Sequence, residues 1–229
     1  MTDHEEHEHD KHEHDEHEHG HEGHEHEEHE HDEHEHGEHH HHAYDWQAEL
    51  QEMRDATAHY YEHQFDWRGH QPPQGFTGPR FFDPAPDWRL VARLDQTVPG
   101  AGDHAEIATS TGQTRHMHVA GDLVFEVGGK QHRLTAFVSE RDGYEVLFVP
   151  FRDATSGHET YGAGRYVEAP FDSEAADDPV ELDFNYAYNP SCVFSVAYDC
   201  PFPPRQNQLT IPITAGEKLP YDEDLAHQP

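Results

Sequence analysis

The chain has 229 residues, 48 Asp plus Glu against 14 Lys plus Arg, a formal net charge of −34 and only 33% hydrophobic residues. An acidic excess of that size excludes nucleic acid and anionic membrane as electrostatic partners. No segment reaches the ~20 apolar residues needed to span a bilayer, and the polar N-terminus lacks the apolar stretch of a secretory signal, so cytoplasmic residence is the expectation.

Between His4 and His42 the chain holds no aliphatic side chain and no Phe, Tyr or Trp. Nothing there can offset the entropy of ordering a backbone, so residues 1–43 are expected to form a disordered tail in the absence of metal. Its chemistry is dense. His7, His9, His12, His14, His17, His19, His24, His26, His29, His31, His34 and His36 recur largely as His-Glu-His units, and the run ends on His39, His40, His41 and His42. In an extended chain, side chains two apart share a face, so each unit offers two imidazoles to one ion. Neutral imidazole suits zinc, nickel, cobalt and copper, whereas carboxylates alone suit calcium or magnesium. These sixteen histidines are therefore the candidate metal ligands, and transition-metal ions the candidate cofactor and partner. An engineered tag is shorter and more uniform than a segment carrying Asp10, Lys11, Asp15 and Asp32. A solvating, proton-buffering polyelectrolyte that binds metal only incidentally is the other alternative.

Residues 44–229 suffice for one domain with a single core. The first 42 residues take one Lys and 18 acids, which leaves the body 13 basic and 30 acidic residues, a net charge of −17. Lys130 and Lys218 are its only lysines. Surface carboxylates in such excess suit a high-salt (halophilic) cytoplasm, where repulsion is screened over a few ångströms. Cys192 and Cys200 are too few for a disulfide scaffold and too far apart in sequence for a zinc knuckle. Reduced, partly buried thiols are expected.

From Tyr44 to about Phe65, Trp46, Leu50, Met53, Tyr60, Tyr61 and Phe65 recur at helical spacing and predict an amphipathic helix. Gly69, Pro72, Pro73 and Gly75 end it in a loop. On that helix Asp55, His59 and His63 fall four apart, a face that can grip zinc or serve as a solvated polar stripe. The pattern then becomes extended. Short β-prone runs are predicted at 89–94, 104–109, 115–119, 122–127, 131–139 and 144–151, with Gly128-Gly129 as a hairpin turn. Further runs follow at 164–168, 180–184 and 209–213. Many short strands with hairpin turns predict a mainly β fold, an antiparallel barrel or sandwich with one N-terminal helix.

From Phe151 to Lys218 polar residues crowd between apolar ones, in Thr160-Tyr161-Gly162-Ala163-Gly164-Arg165, Asp183-Phe184-Asn185-Tyr186-Ala187-Tyr188-Asn189-Pro190, Cys200-Pro201-Phe202-Pro203-Pro204-Arg205-Gln206-Asn207 and Ala215-Gly216-Glu217-Lys218. These segments, with Phe76-Thr77-Gly78-Pro79-Arg80-Phe81-Phe82 upstream, resemble the domain of unknown function 1684 family over roughly residues 44–218. The resemblance implies one β-rich domain and no assigned activity. It sets Asp153, Thr155, Gly157, Thr160, Tyr161, Gly164, Arg165, Asp183, Asn185, Tyr188, Asn189, Cys192, Cys200, Asn207, Gly216, Glu217 and Lys218 in matching positions, while Gly78-Pro79 stands where the family has Gly-Leu.

The candidate ligand-binding or structural cluster of the body is Asp153, Tyr161, Arg165, Asp183, Asn185, Tyr188 and Asn189. Arg165 either grips an anionic ligand as a fork or closes a buried network with Asp153 or Asp183. No nucleophile adjoins a base, and Gly162-Ala163-Gly164 is not followed by a helix pattern as a phosphate loop would be. Two functions stand side by side: metal buffering or delivery by the tail, and small-molecule binding or catalysis by the β-domain. One expectation concerns salt. If the body is adapted to high ionic strength, its thermal midpoint should fall in millimolar salt relative to molar salt, and an equal midpoint in both would count against that reading.

Overall fold

The longest strand organises the sheet. In the computed structural model, which describes residues 45–175 and 177–221, β3 (Thr114–Val127) pairs first with β2 (His104–Ala108) and then with β1 (Arg89–Asp95), while β4 (Lys130–Arg141) pairs with it on the other side from His118 to Val127. The change of partner falls at a bulge between Val119 and Gly121. Gly121 has φ 148°, and a Cβ there would lie 2.6 Å from the Asp95 carbonyl oxygen, so only glycine lets β1 come this close. The two runs predicted at 115–119 and 122–127 are thus one bent strand.

β5 (Tyr144–Phe151), β6 (Arg165–Pro170) and β7 (Val180–Asp183) complete a seven-stranded antiparallel sheet in the order β6-β5-β4-β3-β1-β7, with β2 on β3. The first and last strands of that path, β6 and β7, approach each other, and Tyr166 of β6 bridges to Tyr188 just beyond β7, so the sheet is a nearly closed barrel. Gly128 and Gly129 form the predicted hairpin turn, with Val127 opposite Lys130.

Central strands bury both faces. Leu134 and Ala136 of β4 and Leu147, Val149 and Phe151 of β5 join Leu123, Leu182, Phe184 and Ile213 in one core. Phe137 and Phe148 point to a second cluster with Ile107, Val119, Tyr166 and Cys200. The second face is covered by the irregular chain after β7, which explains why these strands read as continuous apolar runs instead of alternating. Complete burial of a Phe or Leu contributes roughly 1.5–3 kcal/mol each.

The helix α1 (Trp46–His63) begins at Asp45, whose carboxylate accepts the Gln47 and Ala48 amide protons. It docks through aromatic contacts: Tyr61 lies 4.3 Å from Phe194 and 5.0 Å from Phe65 between ring centroids. Leu50 and Tyr61 are its buried apolar residues. The predicted run at 209–213 is not a strand; Leu209 donates its amide proton to Arg152 instead. No helix among the described residues is long and apolar enough to cross a membrane. The histidines expected to bind metal, and the disorder expected of residues 1–43, lie outside the described residues.

Candidate functional site

The seven polar residues singled out in the body fall into separate groups. Arg165 opens β6 and is buried. Its guanidinium donates to Asp153 Oδ2 at 2.8 Å and to the carbonyls of Ile213 (2.9 Å), Ala215 (2.5 Å) and Glu217 (3.0 Å). Asp153 in turn accepts from the Thr155 amide (2.6 Å) and hydroxyl (2.5 Å). Burial lowers the Arg165 pKa and Asp153 opposes that shift. Four bonds on two nitrogens leave the fork committed inside the protein, so Arg165 ties the final segment to the sheet.

Asp183 and Asn185 sit elsewhere. Asp183 pairs with Arg89 at 3.0 Å and caps the Asn185 amide, and the Asn185 side chain exchanges two hydrogen bonds with the Ala85 backbone. Tyr161 is half-buried beside the aromatic cluster of α1. Burial raises the pKa of its hydroxyl, with the neighbouring Cys192 adding to the shift. Cys192 and Cys200 are both free, with the Cys192 amide 3.3 Å from Cys200 Sγ.

Tyr188 and Asn189 do reach a cavity. It has a volume of about 690 Å3, within the usual range for small-molecule sites. Met53, Thr57, Tyr60 and Tyr61 of α1 form one wall, and Phe81 and Tyr186 line it as well. Arg141 of β4, Glu168 of β6 and Tyr188 form a linked polar group: Glu168 Oε1 accepts from Arg141 and from the Tyr188 hydroxyl, each at 2.6 Å. The fourth polar element is Glu217, which is 3% exposed. Its Oε2 accepts the Asn189 amide proton at 2.8 Å, while the Asn189 side chain donates to the Lys218 carbonyl at 2.8 Å. Burial pushes the Glu217 pKa up to about 7, against the Asn189 hydrogen bonds and the positive charge of Arg165. Asn189 Oδ1 is buried with no hydrogen-bond partner.

Such a site can hold an organic molecule with an apolar body against the aromatic wall and a hydrogen-bond donor toward Glu217. The carboxyl titrates near neutrality, so it can also accept or give a proton there. Among the described residues no three His, Cys, Asp or Glu side chains are grouped so as to hold a metal ion. On α1, Asp55 accepts from Gln51 at 2.8 Å, while the His59 and His63 rings lie 4.5 Å apart.

Glu217, Glu168 and Arg141 were not among the site residues read from sequence. Glu217 left a signal: a lone carboxylate between Ala215 and Leu219 in an apolar segment is placed for burial. Arg141 and Glu168 left none, because their meeting depends on strand register.

Fold and cavity define a nearly closed antiparallel β-barrel protein with a helix-walled cavity. The chain belongs to the family described as protein of unknown function (DUF1684), whose model matches residues 74–218. It is also similar to an uncharacterized protein from Haloarcula marismortui solved by solution NMR, with 35% identity over 76% of this chain and 94% of that chain and a TM-score of 0.58. No curated protein matches the chain. The family match includes Glu217, Asn189, Glu168 and Arg141 but begins after α1, so one wall of the cavity lies outside it.

The raised pKa has a stability consequence. Glu217 shifts from 4.5 to about 7 on folding, so between those values the folded chain holds a proton that the unfolded chain has released. Stability therefore falls as pH rises through that window and levels off above it. Glu217→Gln removes this dependence. Urea unfolding at about pH 5 and about pH 8 should show the variant losing less stability than wild type, by about 2–3 kcal/mol. Identical losses would mean that the carboxyl is solvated.

Proposed function

We propose that the folded domain binds a small organic molecule in the cavity between α1 and the barrel, with Glu217 as the recognising group. The observation that supports this most directly is a nearly fully buried carboxyl, with a pKa raised to about 7, lining an aromatic-walled cavity of about 690 Å3. Burying an acid without a paired cation destabilises a fold, and such groups cluster at functional sites. Of the polar cluster expected around Arg165, Tyr188 and Asn189 line this cavity, and Arg165 supports it by fixing the backbone on both sides of Gly216.

Amine-bearing aromatic fragments such as 2-phenylethylamine probe the site directly. Added to the 15N-labelled full chain at neutral pH, they should shift the Asn189 and Glu217 amide signals. The effect should weaken at least several-fold in Glu217→Gln and in the cavity-filling Thr57→Trp. Shifts scattered over the surface, or equal in both variants, would remove the reading.

The N-terminal histidines support a second reading, in which the tail binds nickel, zinc, cobalt or copper and buffers or delivers it. Its basis is the repeated pairing of imidazoles two residues apart. The acidic body fits a high-salt cytoplasm and partners other than nucleic acid or membrane. Protonated imidazole cannot ligate, so binding should release protons and weaken as pH falls. Calorimetric titration of the full chain with nickel at pH 7.5 should show several ions per chain at order-of-magnitude micromolar affinity, and much weaker binding at pH 5.5. No binding at the higher pH, or equal binding at both, would overturn this reading.

A further inference from the structure

The exposed face of the β2–β3 hairpin carries a second group of imidazoles, separate from the N-terminal run and from the cavity. In the antiparallel register His104 stands opposite His118, and Glu106 opposite His116. Residues two apart on a strand share a face, and Ile107 and Val119 take the buried one, so these four side chains project together into solvent.

Two features of the pair His104 and His118 go beyond proximity. Their ring centroids are 5.4 Å apart. A tetrahedral ion bound at ~2.1 Å by one nitrogen of each ring would hold the centroids ~5 Å apart, so the rings already stand at bridging distance. In addition, His118 Nε2 lies 3.1 Å from the Gly102 carbonyl oxygen. A ring nitrogen facing a carbonyl carries the proton, which leaves Nδ1 with its lone pair free. Metal-binding histidines show this arrangement, in which a backbone carbonyl fixes tautomer and ring orientation.

We propose that His104 and His118 form a bidentate clip for a late first-row divalent transition ion, in the order copper before nickel and zinc. Two protein ligands leave the remaining coordination positions to water, so the clip is open and exchangeable. Glu106 and His116 extend the same face and add negative charge and a further imidazole beside the ion. The proposal does not depend on the N-terminal histidines or on the cavity.

The test uses the 15N-labelled full chain and copper(II) chloride at pH 7.5, added beyond the point at which the N-terminal signals are fully broadened. Paramagnetic broadening should then reach the Ala105 and Met117 amides, which form the rung next to His104 and His118 on the paired strands, and spare Val167 on β6. In the double variant His104→Ala with His118→Ala, at least tenfold more copper should be needed for the same broadening at Ala105 and Met117. The N-terminal response should be unchanged. The side chains are exposed, so the dispersed spectrum of the variant reports that the barrel is intact. Broadening at the hairpin that is indifferent to the double substitution would overturn the proposal, as would its absence in the wild type.

Discussion

The structure turns on the buried guanidinium of Arg165. A charge taken out of water must be matched by partners, and this one is matched by a single carboxylate and three main-chain carbonyls. Those carbonyls belong to Ile213, Ala215 and Glu217, in a segment that joins no strand. Backbone acceptors buried outside a ladder also need donors, so each side supplies what the other lacks. Breaking such an arrangement by removing one partner typically costs about 3–5 kcal/mol, because the other remains buried and unpaired.

What Arg165 fixes is the position of Glu217. The segment passes very close to the turn after β7: Gly216 has φ 75°, and a Cβ there would lie 2.5 Å from the Ala187 carbonyl oxygen. Glycine alone fits, and the Glu217 amide then donates to that same carbonyl at 2.8 Å. The next contact outward is the Glu217 carboxyl on the Asn189 amide. A chain of contacts thus runs from the barrel interior through Arg165 and Gly216 to the cavity.

The elements that declare themselves by local chemistry were legible in the sequence. The helix, the Gly128-Gly129 hairpin and the strands at 89–95, 104–108, 130–141 and 144–151 follow periodicity and turn residues. The run at 209–213 is β-prone yet irregular, because its neighbourhood bonds to Arg152 and Arg165 in place of a strand, a tertiary choice that propensity does not carry. Position 121 hides its bulge for a similar reason: a lone glycine reads equally as a strand break. For the site, Tyr188 and Asn189 were legible as polar residues within an apolar stretch. The contribution of α1 was not, since Met53 and Tyr60 follow the same spacing whether a helix face meets packed core or open space. Arg165 and Asp183, both matched to the family, were read as possible partners, but Asp183 takes Arg89, its directly opposed neighbour on β1.

Two buried charges with different surroundings separate scaffold from site. Arg165 and Asp153 neutralise each other, and all but one of the guanidinium nitrogens have partners. Glu217 has a backbone amide and the side chain of Asn189 but no salt bridge, and the carboxyl responds by moving its pKa toward neutrality. A core optimised for stability alone would carry an apolar residue or a Gln at that position, since either avoids desolvating a charge. Retaining an acid there is a local departure from what stability alone favours, and such departures concentrate where a protein meets its ligand. The cavity beside Glu217 is bounded by a helix held largely through aromatic contacts, not by strand hydrogen bonds. The wall therefore rests on side-chain packing and the Arg165 tie on hydrogen bonds, so the cavity and the scaffold beneath it are held by different interactions.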